Sequence, residues 1–209
     1  MSRAVDTRAW IAEHLDPLDP KPPVAGLADR DPDDSWYPPS MPPPTPAAVL
    51  IGLVERPEGM TVLLTRRADS LRAHTGQIAL PGGRMDAGET PWETALREAK
   101  EEIGLDPAHV SLAGLATPFL TGTSYLVTPV VGFVTPGFVL SANPDEVADI
   151  FETPFSFLMD LANHEERDMM ASGQLRRVIT VTHEDRVIWG VTAHILRSLY
   201  FRLYGAAVA

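Results

Sequence analysis

The stretch PGGRMDAGETPWETALREAKEEIGL, Pro81 to Leu105, constrains the fold most, because it specifies a helix, both its ends and the face it must bury. Thr90 is a good N-cap, Pro91 suits the first helical position, and Glu93 completes a T-x-x-E capping box. Gly104 sits where a helix commonly ends in a left-handed residue. Between these signals Trp92, Ala95, Leu96, Ala99 and Ile103 recur at i, i+3, i+4, i+7 and i+11. At about 100° per residue they form one narrow apolar stripe facing the core.

The same arithmetic puts Glu98, Glu101 and Glu102 on the opposite side, within an arc of about 100°. Like charges at this spacing repel by a few tenths of a kcal/mol per pair. The helix C-terminus disfavours anions as well. Arg97 and Lys100 relieve part of the repulsion, yet local stability alone would not select this arrangement. Two readings follow: a solvated charged face, or a site for a hard divalent cation such as Mg²⁺ or Mn²⁺, which takes carboxylate and water oxygens.

Upstream, AAVLIGLV and MTVLLTRR read as two buried strands joined by the turn ERPEG. Downstream, HVSLAGLATPFLT, YLVTPVVGFVT and FVLSANPDEVADIFETPFSFLMD mix strand-like runs with turns. QLRRVITVTHEDRVIWG reads as a hairpin turning at His183–Asp185, and VTAHILRSLYFRLYG has helical periodicity through Ile195, Leu199 and Leu203. Several strands with two long helices predict an α+β layered fold around a mixed sheet. Val5 to Leu15 reads as a short helix. From Asp16 to Pro46 the chain holds 11 of its 20 prolines and six aspartates. This predicts an extended arm, which Trp36 and Tyr37 could pin to the domain or to a second subunit. The organisation expected is therefore an arm over 1–46 and one folded domain over 47–209.

The 209 residues suffice for a real core, and no apolar run is long enough to span a bilayer. A formal charge of −11 argues against general nucleic-acid binding and against attachment to anionic membranes. With no cysteine, thiolate metal sites, thiol nucleophiles and disulfides are excluded, which together with the absence of a signal-like N-terminus fits the cytosol.

Gly83, Glu89 and the run Arg97-Glu98-Ala99-Lys100-Glu101-Glu102-Ile103-Gly104-Leu105 stand at the spacing of the Nudix box and resemble it at every fixed position. Ala99 is small where a larger aliphatic residue is frequent. The resemblance implies an α/β/α layered sandwich and a loop–helix–loop that binds divalent metal, Mg²⁺ or Mn²⁺. It implies Glu98, Glu101 and Glu102 as metal ligands, with a backbone carbonyl at Gly82 or Gly83. Glu98 is also implied to orient or deprotonate the attacking water. Arg97 and Glu89 are implied to form a supporting ion pair. The reaction implied is attack by water on a diphosphate joined to a further moiety.

Before the box, LLTRRADSLRAHTGQIALPGG resembles the signature of the coenzyme A diphosphatase branch, with Leu80 where phenylalanine is common. NPDEVADIFETPFSFLMD and VIWGVTAHIL resemble later parts of that branch. Coenzyme A or a derivative is thus the implied substrate, and a homodimer the implied assembly. Arg66, Arg67, Arg72 and Arg84 concentrate positive charge in an acidic protein, with Asp69 the only acid between Arg66 and Arg84. Guanidinium groups capture phosphate through paired hydrogen bonds, and His74 could join them. The alternative reading is that some of these arginines are solvated or paired with the acidic surface, and that His74 is structural. Glu146, well outside the box, is either a remote metal ligand or base, or an exposed acid in a turn. ADP-ribose or a dinucleotide is the alternative substrate class, and a non-catalytic nucleotide-binding domain the alternative role.

Overall fold

The computed structural model of the chain describes residues 7–18, 43–68, 76–171 and 174–205. Trp36, Tyr37 and most of the proline-rich stretch lie outside the described residues, as do Arg72 and His74. Of the helix expected over Val5 to Leu15, the described part is α1 (Arg8–Glu13), capped by Thr7, whose hydroxyl accepts from the Trp10 N–H.

The hairpin of β1 (Thr45–Arg56) and β2 (Gly59–Arg67) forms as expected, with Leu53 opposite Val62. Short strands β3 (Ile78–Ala79) and β4 (Gly82–Arg84) lead into α2 (Pro91–Ile103). Then come β5 (Val110–Leu115), β6 (Phe119–Leu120), β7 (Tyr125–Val134), β8 (Val147–Pro154) and α3 (Phe155–Leu158). The described chain closes with β9 (His164–Ala171), β10 (Gln174–His183), β11 (Arg186–Trp189) and α4 (Val191–Tyr204).

Among the described residues the strands make two sheets. The larger is mixed and has eight strands, with β3-β2-β1-β7-β5 as its spine and β4, β6 and β8 attached. At its centre β1 runs parallel to β7, from Thr45 opposite Tyr125 to Val54 opposite Val134. The smaller sheet is antiparallel in the order β11-β10-β9. Strand β9 carries HEERDMMA, which has no β-branched residue and gave no strand signal. It forms because β10 offers a full ladder, from Gln174 opposite Ala171 to Val181 opposite His164.

The alternation of β1 divides the core. Ala47, Ile51 and Leu53 join α1, α3, α4 and the smaller sheet on one face, while Ala48, Leu50 and Val54 meet α2 on the other. A strand buried on both faces needs an unbroken apolar run, and AAVLIGLV is one. The result is an α+β fold with helices on both sides of a mixed sheet. Ile11 of α1 is fully buried in the larger core cluster, and Asp16 makes a two-way backbone bridge to Leu115 on β5.

Candidate active site

The two ends of α2 are set as its sequence dictates. The Thr90 hydroxyl accepts from the Glu93 N–H and the Glu93 carboxylate accepts from the Thr90 N–H at 2.8 Å. Gly104 ends the helix at φ 68°, in the left-handed region that glycine occupies at little cost. Its last carbonyls are taken by a following loop: Ser141 N–H donates to Ile103 at 2.9 Å and Asn143 N–H to Glu102 at 2.8 Å.

The three glutamates do not share one solvated side, and here the sequence expectation is corrected. Glu101 is exposed, its side chain 57% accessible. Glu98 is 15% accessible and Glu102 only 5%. At about 100° per residue Glu102 falls about 20° from Ala95, on the shoulder of the apolar stripe rather than opposite it. Burial pushes the Glu102 carboxyl up to about 7; one N–H, from Gly82 at 3.3 Å, works against this, while the charges of Glu98 and Glu146 add to it and that of Arg67 subtracts. Glu98 is raised too, first by burial, against its hydrogen bond from Arg97.

Arg97 is the hub of the loop before the helix. Its Nε and Nη2 grip Glu89 at 2.7 and 2.9 Å, a fork-to-carboxylate pair. Nη1 reaches Glu98 at 2.8 Å and Glu101 at 3.2 Å, and Nη2 also donates to the Arg84 carbonyl at 3.1 Å. Glu89 further accepts from the Thr94 hydroxyl at 2.7 Å and the Asp86 N–H at 2.9 Å. These bonds, Arg97 foremost, hold the Glu89 carboxyl down at about 2. Glu89 is thus a fixed anion that orients Arg97, and Arg97 aims Glu98. The hydroxyl of Thr94 in this network gave no signal in the sequence beyond its place one turn from the cap.

Gly83 explains itself sterically: a Cβ there would stand 2.5 Å from Glu98 Oε1 and 2.8 Å from Oε2. Only a bare backbone lets strand β4 and the Glu98 carboxylate approach so closely. The expected arginine cluster is divided by the sheet. Arg66 stands two and four residues after Leu64 and Val62, which belong to the larger core cluster, so it shares their face, away from α2. Beside it the β2–β8 ladder shifts register, and Arg67 acts on Glu102. Arg67 Nε is buried with no hydrogen-bond partner among the described residues. Arg84 is exposed on β4. Glu146 is half-buried, and its charge reaches both Glu98 and Glu102.

Among the described residues, no three acidic or histidine side chains are already gathered around one point closely enough to hold an ion. Glu101 in particular is turned onto Arg97, and recruiting it takes a rotation of its side chain. The donor chemistry nonetheless fits a hard divalent cation. The charge of Glu146 opposes the ionisation of both Glu98 and Glu102, and that of Glu98 opposes the ionisation of Glu102, while Arg97 is shared with Glu89. Buried carboxylates in this state are stabilised by a cation, and oxygen donors suit Mg²⁺ or Mn²⁺.

Residues 43–172 match the model of the NUDIX domain family. The uncharacterized Nudix hydrolase NudL of Photorhabdus laumondii subsp. laumondii is 42% identical over 154 residues, covering 73% of this chain and 82% of that protein. The protein of the same name from Yersinia pestis (strain Pestoides F) is also 42% identical, over 73% of this chain and 77% of its own. Among solved structures, the Nudix hydrolase RenU of M. smegmatis is 26% identical with a TM-score of 0.45, over 54% of this chain and 71% of that one. A MutT/nudix family protein from Enterococcus faecalis is 20% identical with a TM-score of 0.48, over 82% and 66%. The chain belongs to the Nudix family and is a hydrolase of diphosphate substrates, of a kind that generally needs divalent metal ions.

Proposed function

We propose that this hydrolase cleaves the diphosphate of coenzyme A or a derivative, releasing 3′,5′-ADP and 4′-phosphopantetheine or its acylated form. The observation that carries the reading is the meeting of mutually repelling Glu98, Glu102 and Glu146 with Arg67, whose buried Nε lacks a partner among the described residues. Carboxylates that want a cation beside a guanidinium that wants an anion suit a metal-bridged diphosphate. Coenzyme A in particular rests on the likeness of Leu63–Gly83 to the coenzyme A diphosphatase signature.

Bound Mg²⁺ or Mn²⁺ neutralises the diphosphate and lowers the pKa of the attacking water. Glu98, Glu102 and, after rotation, Glu101 would hold the cation, with a carbonyl of Gly82 or Gly83. Glu98 orients or deprotonates the water, and Arg97, fixed by Glu89, keeps Glu98 aimed. Arg67 contacts a phosphate, and Arg72, His74 and Arg84 complete the recognition of the substrate's charges, while Arg66, on the face away from α2, is left out of the site. A cytoplasmic homodimer belongs to the same reading.

Turnover with Mg²⁺ or Mn²⁺ on coenzyme A, 3′-dephospho-coenzyme A, ADP-ribose and NADH, with products separated by chromatography, tests it. Preferred cleavage of coenzyme A to 3′,5′-ADP is the expected result. Activity confined to ADP-ribose or NADH would discard coenzyme A and keep the box chemistry.

A further inference from the structure

Glu146 does not reach the acidic face of α2 by itself. The loop that carries it is tied at both ends to the elements that carry the other charges. At one end Ser141 and Asn143 donate their N–H groups to the last carbonyls of α2, that of Glu102 among them. At the other the Ala68 N–H, next to Arg67, donates to the Glu146 carbonyl at 2.8 Å.

Asn143 stands at the centre of this loop. Its carbonyl accepts from the N–H groups of Glu146 at 3.0 Å and Val147 at 2.8 Å. Its Oδ1 accepts from the Asp145 N–H at 3.2 Å, closing an Asx turn. Its Nδ2 donates to Glu146 Oε1 at 3.5 Å. One residue thus fixes the turn, the backbone of Glu146 and one oxygen of its carboxylate, and is itself fixed to the backbone of Glu102. The NPDE run offers the signal in sequence, an asparagine able to start a turn three residues before an acid.

We infer that Asn143 is a positioning residue, holding the Glu146 carboxylate toward the cation site of Glu98 and Glu102 so that α2 and the 141–146 loop share one ion. The inference rests on the proposed function, in which that site takes Mg²⁺ or Mn²⁺. Asn143 is given its role through Glu146, whose backbone and carboxylate it holds.

Titration of Mn²⁺ into the full-length wild type, Asn143→Ser, Glu146→Gln and the double variant tests it without turnover. Serine keeps an acceptor for the turn but cannot reach Glu146, so it spares the fold where alanine would leave the loop untied. Thermal unfolding checks that each variant is folded. Residues that orient a metal ligand typically contribute about 10- to 100-fold in affinity. Asn143→Ser is expected to weaken Mn²⁺ binding about 10-fold, and the double variant to bind no more weakly than Glu146→Gln. The kcat for the best diphosphate substrate should show the same lack of additivity, with KM nearly constant. Wild-type Mn²⁺ affinity in Asn143→Ser beside a weakened Glu146→Gln overturns the inference alone, as does full additivity in the double variant. Wild-type affinity in Glu146→Gln removes Glu146 from the cation site and the inference with it. Wild-type affinity in Glu98→Gln and Glu102→Gln would bring down the cation site itself.

Discussion

Strand β9 carries Glu165, Glu166 and Asp168 in solvent, each beside an arginine: Glu165 with Arg167 at 2.6 Å, Glu166 with Arg197 at 3.6 Å, Asp168 with Arg177 at 3.5 Å. Helix α2 carries Glu98 and Glu102 into a half-buried group where cations fall short. Burial alone is not the difference. Glu152 is also largely shielded, yet Arg56 grips it through Nη2 and Nε at 2.5 and 3.0 Å and the Thr61 hydroxyl donates at 2.5 Å, which lowers its pKa. Compensation is the difference: a carboxylate taken from water and left short of partners is held there for a charge the chain does not itself supply.

The contrast is broken most severely by neutralising each acid in turn. Glu98→Gln and Glu102→Gln should lower kcat by about 10²- to 10⁴-fold in a folded protein, whereas Glu165→Gln should stay within about twofold. Steady-state kinetics beside circular dichroism checks both, and near-normal turnover in folded Glu102→Gln would erase the distinction. Gly83→Ala should follow: its methyl displaces the Glu98 carboxylate, and misplacement of about 1 Å costs on the order of 10²-fold. Wild-type kcat there would mean that the contact relaxes freely.

Stability sharpens the contrast through pH. With chelator present, Glu102→Gln should be more stable than wild type at pH 8, by up to about 3 kcal/mol. Glu102 has a folded-state pKa raised from 4.5 to about 7. Its stabilising contribution is therefore whole below pH 4.5, where both states are protonated, and is lost as pH rises through 7. The two proteins should converge below pH 4.5 in thermal melts, and saturating Mn²⁺ should reverse their order at pH 8. A gap independent of pH would contradict this. Smallest of all, Glu165→Gln on β9 should shift stability by less than about 0.5 kcal/mol at any pH.

What could be read in the sequence was what neighbours along the chain decide. The capping box of Thr90 and Glu93, Pro91 at the first turn and left-handed Gly104 are local, and all are present as expected. So is the hairpin turning at His183–Asp185, between β10 and β11. The spacing from Gly83 to Leu105 named the family. Partners far along the chain stayed hidden: the parallel pairing of β1 with β7, and β9, which owes its shape to β10. The site divides likewise. A helix has a periodicity that separates stripe from opposite face, but whether the shoulder at Glu102 is dry depends on what packs there, here β4 with its Gly82 N–H. Nor did MTVLLTRR announce the register shift between Arg66 and Arg67, where the β2–β8 ladder is irregular.

The most direct measurement is calorimetric titration of Mn²⁺ at pH 8 into wild type, Glu98→Gln and Glu102→Gln. Binding by wild type with a loss of about 10-fold or more in each variant is expected if these buried carboxylates are the cation site. Equal affinity in all three proteins would contradict it, and the short-changed acids of α2 would need another explanation.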